Sequence, residues 1–330
     1  MVFYFYEEAM QPVRKISVDE PLPNSYHLSQ WHGNETPKAL KADTATEIAL
    51  KFISDPNNNA LFPQTNIVTS SHFNSDSLLA VFSLLYPKRA EPIAKILIEI
   101  SEAHDFSSFS SESGVQAHLL IEALSHSNQS PFRKRWWHFA SEEESFYYNT
   151  IITEIDTIIK KKNDYRYLWK DRFDKIVASM ELFEKRKLWV EEYKDEKLSV
   201  IINDTRPEPQ AIDYYCKGDA FLIAEDKANT QTNGNGRYAY ELCYRYYSWA
   251  DTVRRPAILK ASLNHLADHL NKNETSKSGK WIAAPENKKP LSTVALTFAD
   301  DRGNRALSAL LPDKVTESVL YNIRKNKGRD

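Results

Sequence analysis

The chain opens on Val2-Phe-Tyr-Phe-Tyr6, a run of strand-forming residues, then passes three prolines (Pro12, Pro21, Pro23) that argue against regular structure up to about residue 35. A helix is predicted from Thr36-Pro37, with Pro in its first turn and Ala39, Leu40, Ala42, Ala45, Ile48, Ala49 and Phe52 on its apolar side, ending at Asp55-Pro56. Asn66 to Ser70 reads as a short buried strand. Leu78 to Leu85 is apolar nearly all round, the mark of a buried helix rather than a surface one. A strand that runs through the polar turn SSHFNSDS into such a helix is an α/β unit, and in open α/β sheets ligands gather at the carboxyl ends of strands. A second helix is predicted near 90–103, followed by a serine-rich loop from Phe106 to Ser113.

From Ser141 the rhythm becomes that of long helices. Ser141 with Glu144 has the spacing of a capping box, Phe146, Ile151, Ile152, Ile155, Ile158 and Ile159 form one apolar side, and Trp169, Phe173, Ile176, Met180 and Phe183 form another. Strand patterns return at Leu198–Ile202, Ala220–Ala224, Tyr238–Tyr246 and Thr293–Phe298, with helices near 258–271 and 313–325. The predicted organisation is an α/β domain over 1–140, a helical insert or hairpin over 141–195 and a carboxy-terminal α+β domain over 196–330.

Composition narrows the function. Lys+Arg number 43 against 45 Asp+Glu, a formal charge of -2, so no global basic field draws the chain to long nucleic acid or anionic membrane. Two cysteines, Cys216 and Cys243, exclude a disulfide framework and a four-thiolate zinc site, and suit a reducing cytoplasm. The start has no basic signal region, and no apolar run of about 18 residues occurs. There are only 8 Gly in 330 residues, against a usual ~7%. No GxGxxG, GxxxxGK[ST] or GxSxG motif is present, which removes most support for dinucleotide enzymes, P-loop ATPases and serine hydrolases.

The informative stretch is Ile67-Val-Thr-Ser-Ser-His72-Phe-Asn74-Ser-Asp76-Ser-Leu-Leu-Ala80. An imidazole, an amide and a carboxylate alternate where a strand ends and a helix begins, so an extended segment turns all three to one side. Such donors suit Mn²⁺, Zn²⁺ or Fe²⁺, and Glu102-Ala-His104-Asp105 could return a second carboxylate and imidazole to the same place. The plainer account is that His72 and Asp76 cap a helix and satisfy a turn.

These residues resemble the first motif of the DHH phosphoesterase superfamily, in which a strand leads into HxDxDG or HxNxDG and an apolar helix; here it is His72-x-Asn74-x-Asp76-Ser77. The name-giving DHH motif and the helix after it are similar to Gln30-Trp31-His32-Gly33-Asn34 followed by Ala42-Asp43-Thr44-Ala45-Thr46-Glu47-Ile48. If that second correspondence holds, the motif order is circularly permuted. The resemblance covers about 26–105 and implies a DHH-like parallel-sheet domain. It departs from the pattern at Gln30-Trp31, which stand where Asp-His would be, at Ser77 for glycine and at Asn74 for aspartate. The resemblance implies a metal set of His72, Asn74, Asp76 and Asp105, to which the residues themselves add His104, with His32, His72 and Asp76 as the catalytic candidates. The reaction it implies is hydrolysis of a small phosphorylated or nucleotide-type substrate, with Mn²⁺ favoured and Zn²⁺ or Fe²⁺ as alternatives. The competing expectations are a non-catalytic binding protein on the same scaffold and a non-haem iron enzyme.

Other signals are weaker. Arg133, Arg135 and the tryptophans between Phe132 and His138 could grip a nucleobase by charge and stacking, or anchor a loop. Arg237, Tyr240 and Arg245 lie on an alternating tyrosine strand that could line a substrate pocket, although such a stripe is more often core. Glu225-x-Lys227 with Asp204 has the spacing of some Mg²⁺ nucleases, and also that of an ordinary strand end. His265 and His269, four apart on a helix, read as boundary positions. The expected partner is a small molecule, without membrane, in the cytoplasm; self-association is left open.

Overall fold

A computed structural model of the chain describes residues 1–63, 65–132, 140–228, 236–258, 260, 263–284 and 293–327, with only the backbone at 140–142 and 327. Arg133 and Arg135 therefore lie outside the described residues. The architecture is mixed α/β, with eleven α-helices and two sheets among the described residues. Two compact units divide the chain at other places than the predicted boundaries: residues 1–175 with 250–256, and 176–249 with 257–330.

The first unit is built on a four-stranded, all-parallel sheet: β1 (Val2–Phe5), β2 (Lys15–Val18), β3 (Ser25–Leu28) and β4 (Ile67–Ser70), in the order β1-β4-β2-β3. Its helices are α1 (Ala45–Ser54), α2 (Ser75–Leu85), α3 (Pro87–Ala90), α4 (Ala94–Phe106), α5 (Glu112–His126), α6 (Ala140–Ile151), α7 (Ile155–Lys160) and the first half of α8 (Arg166–Glu184). Helix α2 fulfils its expectation, with Leu78 to Phe82 fully buried against β1, β2 and β4. Tyr148 of α6 packs on Phe3 and Phe5 of β1.

Strands β2 and β3 replace the irregular stretch expected from the prolines. They are parallel neighbours joined by residues 19–24 alone, where a parallel crossover normally takes a dozen residues or more. The short return is possible because Asp19 (φ 69°) and Asn24 (φ 51°) adopt left-handed backbone, which Asp and Asn tolerate better than most residues. Buried Lys15 ties it together, donating from Nζ to the carbonyls of Met10 (2.9 Å), Val13 (3.0 Å) and Pro23 (2.7 Å). The helix expected from Pro37 begins only at Ala45: Leu40 N–H closes a single turn on Pro37, and Thr44 is the true cap, accepting from Glu47 N–H at 3.2 Å. Helix α5 was not anticipated, although Val115, Leu119, Leu120 and Leu124 are buried at helical spacing. Glu144, predicted as half of a capping box, instead accepts Phe73 N–H at 2.8 Å. Residues 250–256 are held to this unit by Asp43, whose Oδ1 accepts from the N–H of Val253 (2.6 Å) and Arg254 (3.0 Å).

The second unit carries a six-stranded sheet of β5 (Trp189–Tyr193), β6 (Leu198–Asn203), β7 (Ala220–Asp226), β8 (Tyr238–Tyr244), β9 (Lys280–Ala283) and β10 (Val294–Ala299), in the order β5-β6-β7-β8-β10-β9. Only β6 and β7 run parallel; the other pairs are antiparallel. Alternation divides its sides: Leu222, Tyr240 and Phe298 pack with Leu266 and Leu270 of α10 (Asn264–Asn273) and Val315 and Val319 of α11 (Pro312–Lys327). Phe221, Ile223 and Cys243 pack on the other side with Ile212 of α9 (Pro209–Tyr215) and Phe183 of α8. Among the described residues no helix is long and apolar enough to cross a membrane.

Candidate metal centre

The carboxyl ends of β2, β3 and β4 feed one cluster. Asp19 follows β2, Gln30 and Trp31 follow β3, and His72 and Asn74 follow β4, with Asp76 in the first turn of α2 and Asp105 near the end of α4. One oxygen from each of Asp19, Asp76 and Asp105 lies within 4.8 Å of the others. Between them sits the side-chain amide of Gln30, whose Nε2 is 3.0 Å from Asp19 Oδ1, 3.1 Å from Asp76 Oδ2 and 2.7 Å from Asp105 Oδ2. Two N–H bonds cannot satisfy three acceptors, and the amide carries no net charge. Gln30 is 1% exposed, and its Oε1 is buried without a hydrogen-bond partner.

The three aspartates differ in their surroundings. Asp19 accepts from His72 Nε2 (2.7 Å), Asn74 Nδ2 (2.8 Å) and Trp31 Nε1 (2.9 Å) as well as Gln30. Burial alone would raise its pKa, but these donors and the His72 charge hold it well below the usual carboxylate range. Asp76 takes the first N–H groups of α1, with Ala45 N–H on Oδ2 and Thr46 N–H on Oδ1, both at 2.8 Å. A carboxylate at a helix N-terminus is well placed, yet burial and the Asp19 charge push Asp76 up to about 6. Asp105 is raised well above the usual value by burial and by the charges of Asp76 and Asp19. Close packing of acids with too little positive charge is thus expressed as retained protons.

Several expected ligands have other work. Burial disfavours the imidazolium of His72, but bonding to Asp19 and Glu20 outweighs it and raises His72 to about 10. His72 is therefore protonated at neutral pH and donates to Asp19 rather than offering a lone pair. Asn74 is used at both ends, its Oδ1 accepting Ser77 N–H at 2.7 Å as the cap of α2 and its Nδ2 donating to Asp19. His32 is more than half exposed and turns to Asp251 at 2.6 Å, while its neighbour Trp31 reaches the cluster. Of the predicted set, Asp76 and Asp105 come together; His104 falls in an adjoining group with His118 and Glu122. Burial and the neighbouring His118 lower His104 to about 4, and burial lowers His118 to about 3, so both are neutral at pH 7.

Asp19 was missed by sequence reasoning. The available signal was Ile16 and Val18 alternating into an acidic residue, obscured by two prolines within five positions.

The remaining candidates are structural ties in the second unit. Arg245 donates to the carbonyls of Gly218 (3.0 Å) and Cys216 (2.6 Å) and to Asp213 (2.8 Å). Tyr240 is fully buried, its hydroxyl donating to Leu310 O at 2.7 Å, and Arg237 lies against Asp226 at 2.8 Å. Glu225 is met by Lys227 at 2.9 Å and by Arg305, which closes it to a metal, and His265 and His269 are exposed. Cys216 and Cys243 are free and buried.

The chain belongs to a family of unknown function, DUF6687, whose model matches residues 1–325 and so runs through both units. No curated protein and no solved structure matches it.

Proposed function

We propose that the first unit is a metal-dependent hydrolase centre of the phosphoesterase type, acting on a small phosphorylated or nucleotide-type substrate, with Asp19, Asp76 and Asp105 as the protein ligands of a divalent ion. One observation carries the reading: three buried carboxylates converge at the carboxyl edge of a parallel sheet on a neutral amide that cannot neutralise them. An all-oxygen set of this charge fits a hard ion, Mn²⁺ or Mg²⁺, with Mn²⁺ favoured. The orphaned Oε1 of Gln30 fits the same purpose, because rotating the amide would turn an oxygen toward a cation.

A divalent ion so held lowers the pKa of water and neutralises charge developing on phosphorus. The chain's own residues would do the rest. Asp76 fixes one ligand to the start of α1, and Trp31 and Asn74 orient Asp19. His72, about a quarter exposed and kept cationic by Asp19 and Glu20, would add positive charge beside the phosphoryl group. A divergent relationship to the DHH phosphoesterases is part of this proposal, with Asp19 in place of Gln30 as the acidic residue preceding the helix that begins near Asp43.

A binding protein on the same scaffold is the second reading, favoured by the Gln30 amide standing where an ion would sit. Metal analysis and phosphodiester hydrolysis of the purified chain, beside Asp19→Asn and Asp105→Asn, test both. Stoichiometric Mn²⁺ and Mn²⁺-dependent turnover, lost in each variant, are expected; no turnover, with or without bound Mn²⁺, removes the hydrolase and selects the second reading.

A further inference from the structure

Adjoining the aspartates is a group of ligand atoms with different chemistry. His104 lies near the end of α4, His118 and Glu122 are one turn apart on α5, and one donor atom from each falls within 4.8 Å of the others. His104 Nδ1 is 3.9 Å from Glu122 Oε1, and His118 Nε2 is 3.7 Å from Glu122 Oε2. These separations are too long for hydrogen bonds. They are close to the ~3.4 Å edge of a tetrahedron whose ligands stand ~2.1 Å from a metal.

The far nitrogen of His118 is disposed as a ligating histidine requires. His118 Nδ1 lies 3.1 Å from buried Ser75 Oγ, which can accept its proton and so leave the lone pair of Nε2 facing Glu122. His104 Nε2 stands 3.9 Å from Asp105 Oδ1, too far for a hydrogen bond in the metal-free chain. Gly114 sets the helix spacing: a Cβ there would come 2.9 Å from Glu99 Cβ of α4, one turn before His118.

We infer that His104, His118 and Glu122 form a second metal site, one that takes Zn²⁺ or a similar borderline ion. Two imidazoles and a carboxylate select such an ion over Mg²⁺, unlike the all-oxygen aspartate cluster. Three protein ligands leave a fourth position open, the pattern of reactive rather than structural zinc. Access exists, since the side chains of His104 and Glu122 are 24% and 32% exposed. The competitor is Arg172, whose Nη1 is 3.4 Å from Glu122 Oε2; it is 64% exposed, so an entering ion can displace it into water.

The test uses the full chain stripped by a chelator and checked for folding by circular dichroism, then titrated with Co²⁺ by visible absorption and with Mn²⁺ by paramagnetic resonance. One equivalent of Co²⁺ should give intense d–d bands that Zn²⁺ abolishes. Binding should weaken at least 100-fold in His118→Ala and Glu122→Gln, tighten severalfold in Arg172→Ala, and persist in Asp19→Asn. If His118→Ala fails to fold, the partly exposed Glu122→Gln carries the test. Absent bands in the wild type, or bands unchanged in folded Glu122→Gln, overturn the site; loss in Asp19→Asn as well means one shared centre and overturns it too. Mn²⁺ binding lost in Asp19→Asn but kept in Glu122→Gln separates the fate of the aspartate centre from that of this one.

Discussion

Buried charge is handled in opposite ways at the aspartate cluster of the first unit and in the second unit. In the second, Glu241 is met by Arg206 at 2.6 Å, Asp213 by Arg245 at 2.8 Å, and Glu225 by Lys227 and Arg305. Each acid has its own cation, and the outcome is ordinary structure. In the first, Asp19 has His72, while Asp76 and Asp105 share with it one uncharged amide. A deficit of positive charge, rather than the presence of acids, marks the site. The same rule separates Glu225-x-Lys227, whose spacing looks like a nuclease motif, from Asp19, which no motif announced.

The largest expected effect breaks a compensated pair. Glu241→Ala leaves Arg206 half-buried without a partner and should cost about 3 kcal/mol, read by denaturant unfolding, with Mn²⁺ affinity unchanged. An equal loss of Mn²⁺ binding would erase the distinction between the units. Next, Trp31→Phe removes a donor to Asp19 while keeping an aromatic ring, and should weaken Mn²⁺ binding by about 10- to 100-fold in calorimetry.

The acid cluster should also carry a pH signature of unusual sign. Asp76, pushed up to about 6 by burial and by Asp19, keeps its proton in the folded chain over a range where the unfolded chain, with an ordinary pKa near ~4, has lost it. The Asp76 contribution, read as the difference between the metal-free wild type and Asp76→Asn, should therefore fall as pH rises from about 4 to about 6, the opposite of a salt-bridged aspartate and of the buried, neutral His104 and His118. Mn²⁺ competes with that proton, so its stabilising effect should grow over the same window; thermal melts at each pH with chelator or with Mn²⁺ measure both. Asp105→Asn removes an acid raised in the same direction, and should raise the midpoint of the metal-free protein at pH 7 by a few degrees while leaving pH 3 unchanged. A lower midpoint at pH 7 would mean the cluster is compensated after all. Smallest is Arg237→Ala: an exposed pair with Asp226, it should leave the denaturant midpoint and turnover as they were.

Sequence reading found the strand–turn–helix unit of β4 and α2 because seven residues from Leu78 to Leu84 are apolar apart from Ser83, and a helix buried all round leaves that trace. It found Asp76 and Asp105 because each sits at an element's end. It lost β2 because the strand buries Lys15 and Ser17 beside Ile16 and Val18, so the expected alternation of inside and outside is missing. Their polarity is satisfied by partners that pattern cannot reveal: the carbonyls of Met10, Val13 and Pro23 for Lys15, and Ser25 Oγ at 2.8 Å for Ser17.

The sequence by itself determined β4 and the buried α2, the scarcity of glycine cradles and the place in the chain where chemistry gathers. Tertiary structure alone decided the roles. His72 and Asn74 became donors, and Gln30 and Trp31, which looked like losses from a motif, became the groups that face the carboxylates. The physical reason is that a ligand is defined by what lies within about 3 Å of it, and here those neighbours stand 11 to 75 residues apart along the chain. The parallel pairing of β2 with β4 brings Asp19 to the same edge as Asp76.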